Sequence, residues 1–285
     1  MTLSGYDAYR QELTAVAARD GRVVCLAAPA AGAGHPFELT HPDRFFGLPR
    51  TASTMVDVVS GLVAAGFRPF ICVGPGPRGR GTAGGLGLRI RYLEAGATVV
   101  TPYTDGLDDY PALRRLPGVT LAAPCGEAET RAVVRAAASC DRPFHIRVGF
   151  LPRPYWPPAD LSPQPLPSPV VWDAAGVGDE AVCLVSVDED GTALARAART
   201  AAPWLGHAHL LYLDDAHLRR ASDELAGRHR RFVVTGARPG SERVTETLTR
   251  LLPGREVATG RPVGRRADSE VAELLRAAHR LAACA

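Results

Sequence analysis

Apolar residues in this chain fall into short unbroken runs, separated by stretches where they recur at helical spacing. Arg22 to Pro29 (RVVCLAAP) predicts a buried strand. Ser53 to Gly66 (STMVDVVSGLVAAG) predicts a helix, with Ser53 placed to cap its start and Gly66 to stop it. Strand-like runs recur at Arg68 to Val73, Ala97 to Thr101, Val119 to Pro124 and Pro143 to Val148. Helical patterns lie at Asp108 to Leu116 and Glu127 to Ser139. Strands that are apolar throughout, instead of alternating, belong to a sheet covered on both faces, so the pattern predicts a parallel α/β sheet.

Leu151 to Pro169 interrupts the alternation with eight prolines in nineteen residues. Proline lacks the N–H that a helix or central strand requires, so this stretch predicts a stiff linker. The alternation then restarts, with strands at Val182 to Val187, His209 to Leu213 and Phe232 to Thr235. Helices are expected at Ala193 to Ala202, Glu242 to Leu252 and Asp268 to Ala283. The expected organisation is two doubly wound α/β domains with mainly parallel sheets, 1–158 and 170–285, joined by a linker at 159–169.

Composition narrows the function. At 285 residues and a mean hydropathy of -0.03, the chain reads as a globular protein long enough for two cores. It shows no apolar run of membrane-helix length and no basic-then-apolar leader, so the expectation is a cytoplasmic protein. The net charge is +3 and the arginines are scattered, which argues against a nucleic-acid-binding face. Its 6 cysteines show no paired spacing, so they read as small buried hydrophobes, not as zinc ligands. Every one of the 33 basic residues is arginine, which excludes Schiff-base and P-loop lysines. Asparagine is absent as well.

The segment His41-Pro42-Asp43-Arg44-Phe45-Phe46, followed by Met55, a small-residue helix and Arg68-Pro69-Phe70, resembles a stretch of the transketolase family. Leu113 to Gly118 (LRRLPG) and Asp141 to Gly149 (DRPFHIRVG) are similar to two further family segments at matching distances. The resemblance spans nearly the whole chain and is strongest in the first domain. It implies a pyrimidine-binding domain of the thiamin diphosphate (ThDP) enzymes followed by a transketolase C-terminal domain. The family's Mg²⁺-diphosphate motif ends on asparagine, so this chain cannot complete it. The resemblance thus implies a diphosphate-binding partner subunit that holds ThDP and Mg²⁺, in a heterotetramer that self-associates through this chain. The implied activity is transfer of a two-carbon ketol or acyl unit in a specialised pathway. The alternative is a structural or regulatory subunit that has lost the chemistry.

The resemblance also assigns positions. The cofactor-facing residues are Arg50, Thr51, Ala52, Ser53, Gly74, Gly76 and Arg78. The family's proton-relaying glutamate falls on Ala52, where a methyl group relays nothing; Ser53 or Thr51 could hydrogen-bond the ring. Substrate positions are Thr104, Asp105 and Arg153. A family histidine falls on Thr104 and an aspartate on Val100. Asp105 and Asp108 could take polar roles, although Asp108 and Asp109 fit a helix start better. Phe150 stands where relatives carry a phosphate-holding arginine, which argues against a phosphorylated sugar. Gly74, Gly76 and Gly79 spell G-x-G-x-x-G, but Pro75 and Pro77 remove donors a phosphate cradle needs, so the segment reads as a loop carrying Arg78 and Arg80. The histidines lack a convergent carboxylate for a metal site. Ser53 lacks a nucleophile elbow.

Overall fold

The computed structural model describes residues 3–27, 34–47, 55–72, 86–103, 109–152, 168–174, 182–236, 241–260 and 267–283. Contacts divide the chain into two compact units. The first comprises 1–105, 112–156 and 161–167; the second comprises 106–111, 157–160 and 168–285.

The first unit opens with α1 (Gly5–Ala17), a helix not anticipated from sequence. Ser4 caps it by accepting from the Asp7 N–H at 3.1 Å, meeting one of the donors a helix start leaves open. Six strands follow: β1 (Val23–Ala27), β2 (Phe45–Gly47), β3 (Arg68–Cys72), β4 (Thr98–Pro102), β5 (Thr120–Ala122) and β6 (Phe144–Val148). They form one sheet in the order β2-β1-β3-β4-β6-β5, and every pairing is parallel. All five residues of β1 and of β6 are buried, as expected of a sheet covered on both faces. In chain order between the strands come α2 (Pro36–Thr40), α3 (Met55–Ala64), α4 (Leu86–Glu94) and α6 (Gly126–Ser139), and also α5 (Tyr110–Leu113), whose first two residues belong to the second unit. Of the helix expected at Asp108 to Leu116, the described residues 109–116 hold four in helix, Tyr110–Leu113.

Two glycines end helices by the same device. Gly66 (φ +85°) and Gly96 (φ +92°) adopt the left-handed region. That lets Phe67 N–H reach Leu62 O at 2.9 Å and Ala97 N–H reach Tyr92 O at 3.0 Å, closing both helix ends. Helices α1 and α6 are joined by a buried carboxylate: Glu12 accepts from Arg131 at 3.2 Å and from Arg135 at 3.0 Å.

The second unit contains β7 (Val170–Ala174), β8 (Val182–Ser186), α7 (Glu189–Ala201), β9 (Gly206–Leu210), α8 (Asp215–Ala226), β10 (Arg231–Thr235), α9 (Ser241–Leu251), β11 (Glu256–Gly260) and α10 (Ala267–Ala283). Its sheet runs β11-β10-β8-β9-β7. Among the described residues, its pairings are parallel except that of β7 with β9, which is antiparallel. A core of Val182, Leu184, Leu194, Ala195, Ala198, Leu205, Val233 and Leu274 fills one face. The Asp188 carboxylate caps α7 through the Gly191 N–H. Gly191 also lets two backbones meet, since a Cβ there would stand 2.5 Å from Thr235 O.

The strand expected at His209 to Leu213 is found at Gly206–Leu210. His207 and His209 are fully buried and hydrogen-bonded within the unit, so apolarity alone misplaced the strand's start. Among the described residues, no helix is long and apolar enough to cross a membrane.

Candidate functional site

Because all six strands of the first sheet are parallel, their carboxyl ends share one edge. In doubly wound sheets ligands bind at that edge, where the strand order reverses. Here the reversal lies between β1 and β3, since β2 is placed on one side of β1 and β3 on the other. Strand β2 ends at Gly47, β3 at Cys72, β4 at Pro102 and β6 at Val148. The positions assigned from sequence follow these ends: Arg50, Thr51, Ala52 and Ser53 after β2; Gly74, Gly76 and Arg78 after β3; Thr104 and Asp105 after β4; Arg153 after β6. All ten lie outside the described residues. Val100 is described. It sits inside β4, paired with Cys72 and Ile146, and is 0% exposed, so its side chain is core and reaches no solvent-borne ligand.

The described residues at this edge form a cluster that depends on α1. Tyr6 stacks on Phe150, with ring centroids 4.4 Å apart, and its N–H donates to Gly149 O at 2.8 Å. The Arg10 guanidinium lies 5.6 Å from the Tyr6 ring centroid, and its Nη2 donates to Gly34 O at 2.8 Å. His35 follows, its Nδ1 accepting from the Phe37 N–H at 3.1 Å and its ring 5.6 Å from that of Phe45. Beneath lie two thiols, Cys25 on β1 and Cys72 on β3, both buried. The β1–β3 register pairs Ala27 with Cys72, so Cys25 and Cys72 face the same side of the sheet, two residues out of step.

Burial dominates the electrostatics here. It raises the Cys25 thiol well above its ordinary value, and it raises Cys72 to about 12. Both are inert thiols. Burial and then the Cys72 thiol raise the Tyr6 hydroxyl, while burial and then Cys25 raise Tyr9. Burial and then the Arg10 charge push His35 down to about 4. Sequence reasoning missed Tyr6, Arg10 and His35 because α1 was not anticipated; the Ser4–Asp7 cap was the available signal.

A second polar cluster lies in the other unit. Ser186 Oγ is 2.9 Å from His207 Nε2 and 3.1 Å from His209 Nδ1. His207 Nδ1 is 3.3 Å from Asp173 Oδ2, which also accepts from Arg199 at 3.2 Å. The Thr192 hydroxyl closes the group, 2.8 Å from Ser186 Oγ. A serine, a histidine and a carboxylate in hydrogen-bonded order have the parts of a nucleophilic triad. Ser186 and His207 are each 0% exposed, however, so no substrate reaches them. The arrangement is a structural network. A cavity of about 300 Å³ at the amino edge of the first sheet is lined by Arg22, Arg68 and Arg142. There Asp20 holds Arg22 at 2.8 Å and Asp141 holds Arg68 at 2.7 Å.

No family model matches the sequence, and no curated protein matches it. Solved structures do match. A chain described as a split gene transketolase, inactive beta4 tetramer, superposes with a TM-score of 0.75 over 99% of each chain, at 19% identity. Transketolase from Leishmania mexicana matches with a TM-score of 0.68 and 17% identity, over 99% of this chain and 46% of that one. The chain has a transketolase-like fold.

In this transketolase-like chain the described residues bear on the cofactor the fold implies. Among them, no group of three or more His, Cys, Asp or Glu residues could hold a metal ion. Mg²⁺ requires oxygen ligands in near-octahedral array, so the described residues do not fit a Mg²⁺-diphosphate grip. The carboxyl edge of the first sheet offers aromatic rings, a guanidinium and an imidazole, a set suited to holding an organic ligand.

Proposed function

We propose that this chain is the C-terminal subunit of a split, ThDP-dependent transketolase-like enzyme that transfers a two-carbon ketol or acyl unit. Turnover requires a diphosphate-binding partner subunit, which holds most of the cofactor and its Mg²⁺. The observation that carries this reading is the end-to-end correspondence, 99% of each chain, with a split gene transketolase. That protein is described as an inactive beta4 tetramer, which suits a subunit that associates with itself and gains activity with a partner. Helix α3 supports self-association. Its sequence MVDVVSGLVA is apolar around most of its circumference, yet only Val56 and Val59 are buried, and Val58 is 45% exposed.

In this reading residues 1–158 hold the aminopyrimidine side, 159–169 link, and 170–285 form the C-terminal domain. Arg50, Thr51, Ala52, Ser53, Gly74, Gly76 and Arg78 face the cofactor, and Thr104, Asp105 and Arg153 face the substrate. ThDP supplies the nucleophilic thiazolium carbon. The chain's own part is to bind and orient the aminopyrimidine.

A second reading, a non-catalytic structural or regulatory subunit, is favoured by two positions. Ala52 carries no carboxyl group, and Val100 is sealed in the core. Co-expression with a candidate diphosphate-binding chain separates the two, read by native mass, cofactor content and turnover. The first reading expects a heteromer that retains ThDP and turns over substrate. A stable heteromer with no turnover supports the second, and tight ThDP-Mg²⁺ binding by the isolated chain removes the need for a partner.

A further inference from the structure

His41 and Arg44 flank and close one short 3₁₀ turn, Pro42–Arg44, which leads into the edge strand β2. The Arg44 side chain reaches back from that turn. Its Nη1 donates to three carbonyls, Ala17 O at 3.1 Å, Asp20 O at 3.3 Å and Val23 O at 3.3 Å. Those oxygens belong to the last residue of α1, the turn after it and the first residue of β1. A helix end presents partial negative charge there, which suits a guanidinium. Nη2 of the same side chain donates to His41 Nδ1 at 3.0 Å. The other ring nitrogen, Nε2, lies 3.2 Å from Thr14 O on α1.

These partners fix the protons of the ring. A guanidinium only donates and a carbonyl only accepts, so Nδ1 must offer its lone pair and Nε2 must carry the proton. Only the neutral Nε2–H tautomer meets both contacts. A second proton on Nδ1 would set two charged donors face to face across 3.0 Å. Arg44 cannot relieve the clash by losing its own proton, and three carbonyls hold it in place. The ring is faced by Thr14 O from α1, by the Phe37 ring at 5.2 Å from α2 and by Arg44 from the turn. Asp43, the carboxylate of the turn, lies 3.9 Å from Arg44 Nε on a side chain 78% exposed, too solvated to offset a second cation.

The ring is also coupled to the backbone. The His41 N–H closes α2 on Phe37 O at 2.7 Å, and the His41 carbonyl accepts from the Arg44 N–H at 3.1 Å. Strand β2 is three residues long and, among the described residues, pairs only with β1. So short an edge strand depends on the anchored turn before it.

We infer that His41 is a proton-operated latch: the neutral ring holds the turn and β2 against α1, and the imidazolium releases them. The latch is shut at higher pH and opens on acidification. Because the carboxyl end of β2 belongs to the ligand-binding edge of the sheet, the latch ties that edge to pH. It operates within this chain and needs neither ThDP nor a partner subunit. Its failure would leave the proposed function standing, and the reverse also holds.

The test follows the full chain from pH 8 to pH 5 by two measurements. Long-range ¹H–¹⁵N spectra of ¹⁵N-histidine protein give the tautomer and titration of His41. Hydrogen exchange, corrected for its intrinsic pH dependence, gives the protection of residues 41–47, with Arg68–Cys72 of β3 as the internal reference. The expected result is an Nε2-protonated ring at pH 8. As the ring takes up its second proton, protection of residues 41–47 should fall about tenfold or more, the effect of losing a charge-assisted hydrogen bond. The two midpoints should coincide, and β3 should stay protected. In His41→Gln the amide offers an oxygen to Arg44 and an N–H to Thr14 O without titrating, so protection should persist at pH 5. If that variant fails to fold by circular dichroism, the coincidence of midpoints in the unaltered chain decides. An Nδ1-protonated ring at pH 8, no protection of residues 41–47 at pH 8, protection that does not follow the His41 titration, equal loss in β3, or an unchanged pH dependence in folded His41→Gln would each overturn the inference.

Discussion

Asp173 Oδ2 lies 3.3 Å from His207 Nδ1, joining two residues 34 positions apart across the antiparallel edge of the second sheet. The contact makes His207 donate from Nδ1, leaving Nε2 to accept from the Ser186 hydroxyl. Burial alone would raise the Asp173 carboxyl. The hydrogen bond and charge of His207, with Arg199, outweigh it and hold the carboxyl below its usual value. Replacing it as Asp173→Asn removes the charge that Arg199 and His207 share. We expect a loss of about 2–3 kcal/mol in urea unfolding, with the slope unchanged. An unaltered midpoint would show that the contact contributes nothing to stability.

His207 and His35 both have lowered folded-state pKa values, with burial as the first cause in each. For such groups the folded state binds fewer protons than the unfolded one. Their contribution is fully present above the unfolded value, about 6.5, and is lost as pH falls through the folded value, about 4 for His35. Stability measured at pH 7 should therefore exceed that at pH 5. His35→Gln should reduce the difference, and an equal pH dependence in that variant would remove His35 as a contributor.

Gly191→Ala places a Cβ about 2.5 Å from Thr235 O, where backbone must shift to make room. The expected cost is about 1–3 kcal/mol, read as a lower melting temperature. Gly21→Ala meets nothing within 4 Å and serves as the control.

Glu12 is 7% exposed and accepts from both Arg131 and Arg135. Glu12→Gln should destabilise the α1–α6 seam by about 1–3 kcal/mol, because two guanidiniums lose their counter-charge. Hydrogen exchange in α1 should accelerate more than exchange in β1. Uniform acceleration would place the effect outside the seam.

The exposed face of α3 makes a prediction for assembly. Val58→Glu adds a charge at a position 45% exposed in the isolated chain, so folding should be unaffected. If that face meets a second copy, sedimentation should show a shift toward monomer. An unchanged sedimentation profile would put the self-association surface elsewhere.

The sequence by itself determined the alternation of strands and helices, because apolar runs and helical spacing are local properties. Val23–Ala27, Arg68–Cys72 and Phe144–Val148 are strands in runs expected to be strands, and Gly66 stops α3 as anticipated. It also excluded lysine chemistry, since an absent residue needs no fold to interpret. Tertiary structure alone decided which polar residues meet. Asp173 belongs to a short edge strand whose pairing partner lies beyond β8 and α7, and no local pattern announces that a carboxylate there will face His207. His207 and His209 alternate along a strand, and the fold buries them by meeting their nitrogens with Ser186, Thr192 and Asp173. The same holds for Arg10, whose meeting with Gly34 and His35 depends on α1 lying against α2. Periodicity is written residue by residue, whereas a hydrogen bond between distant side chains exists only once the sheet order has been set.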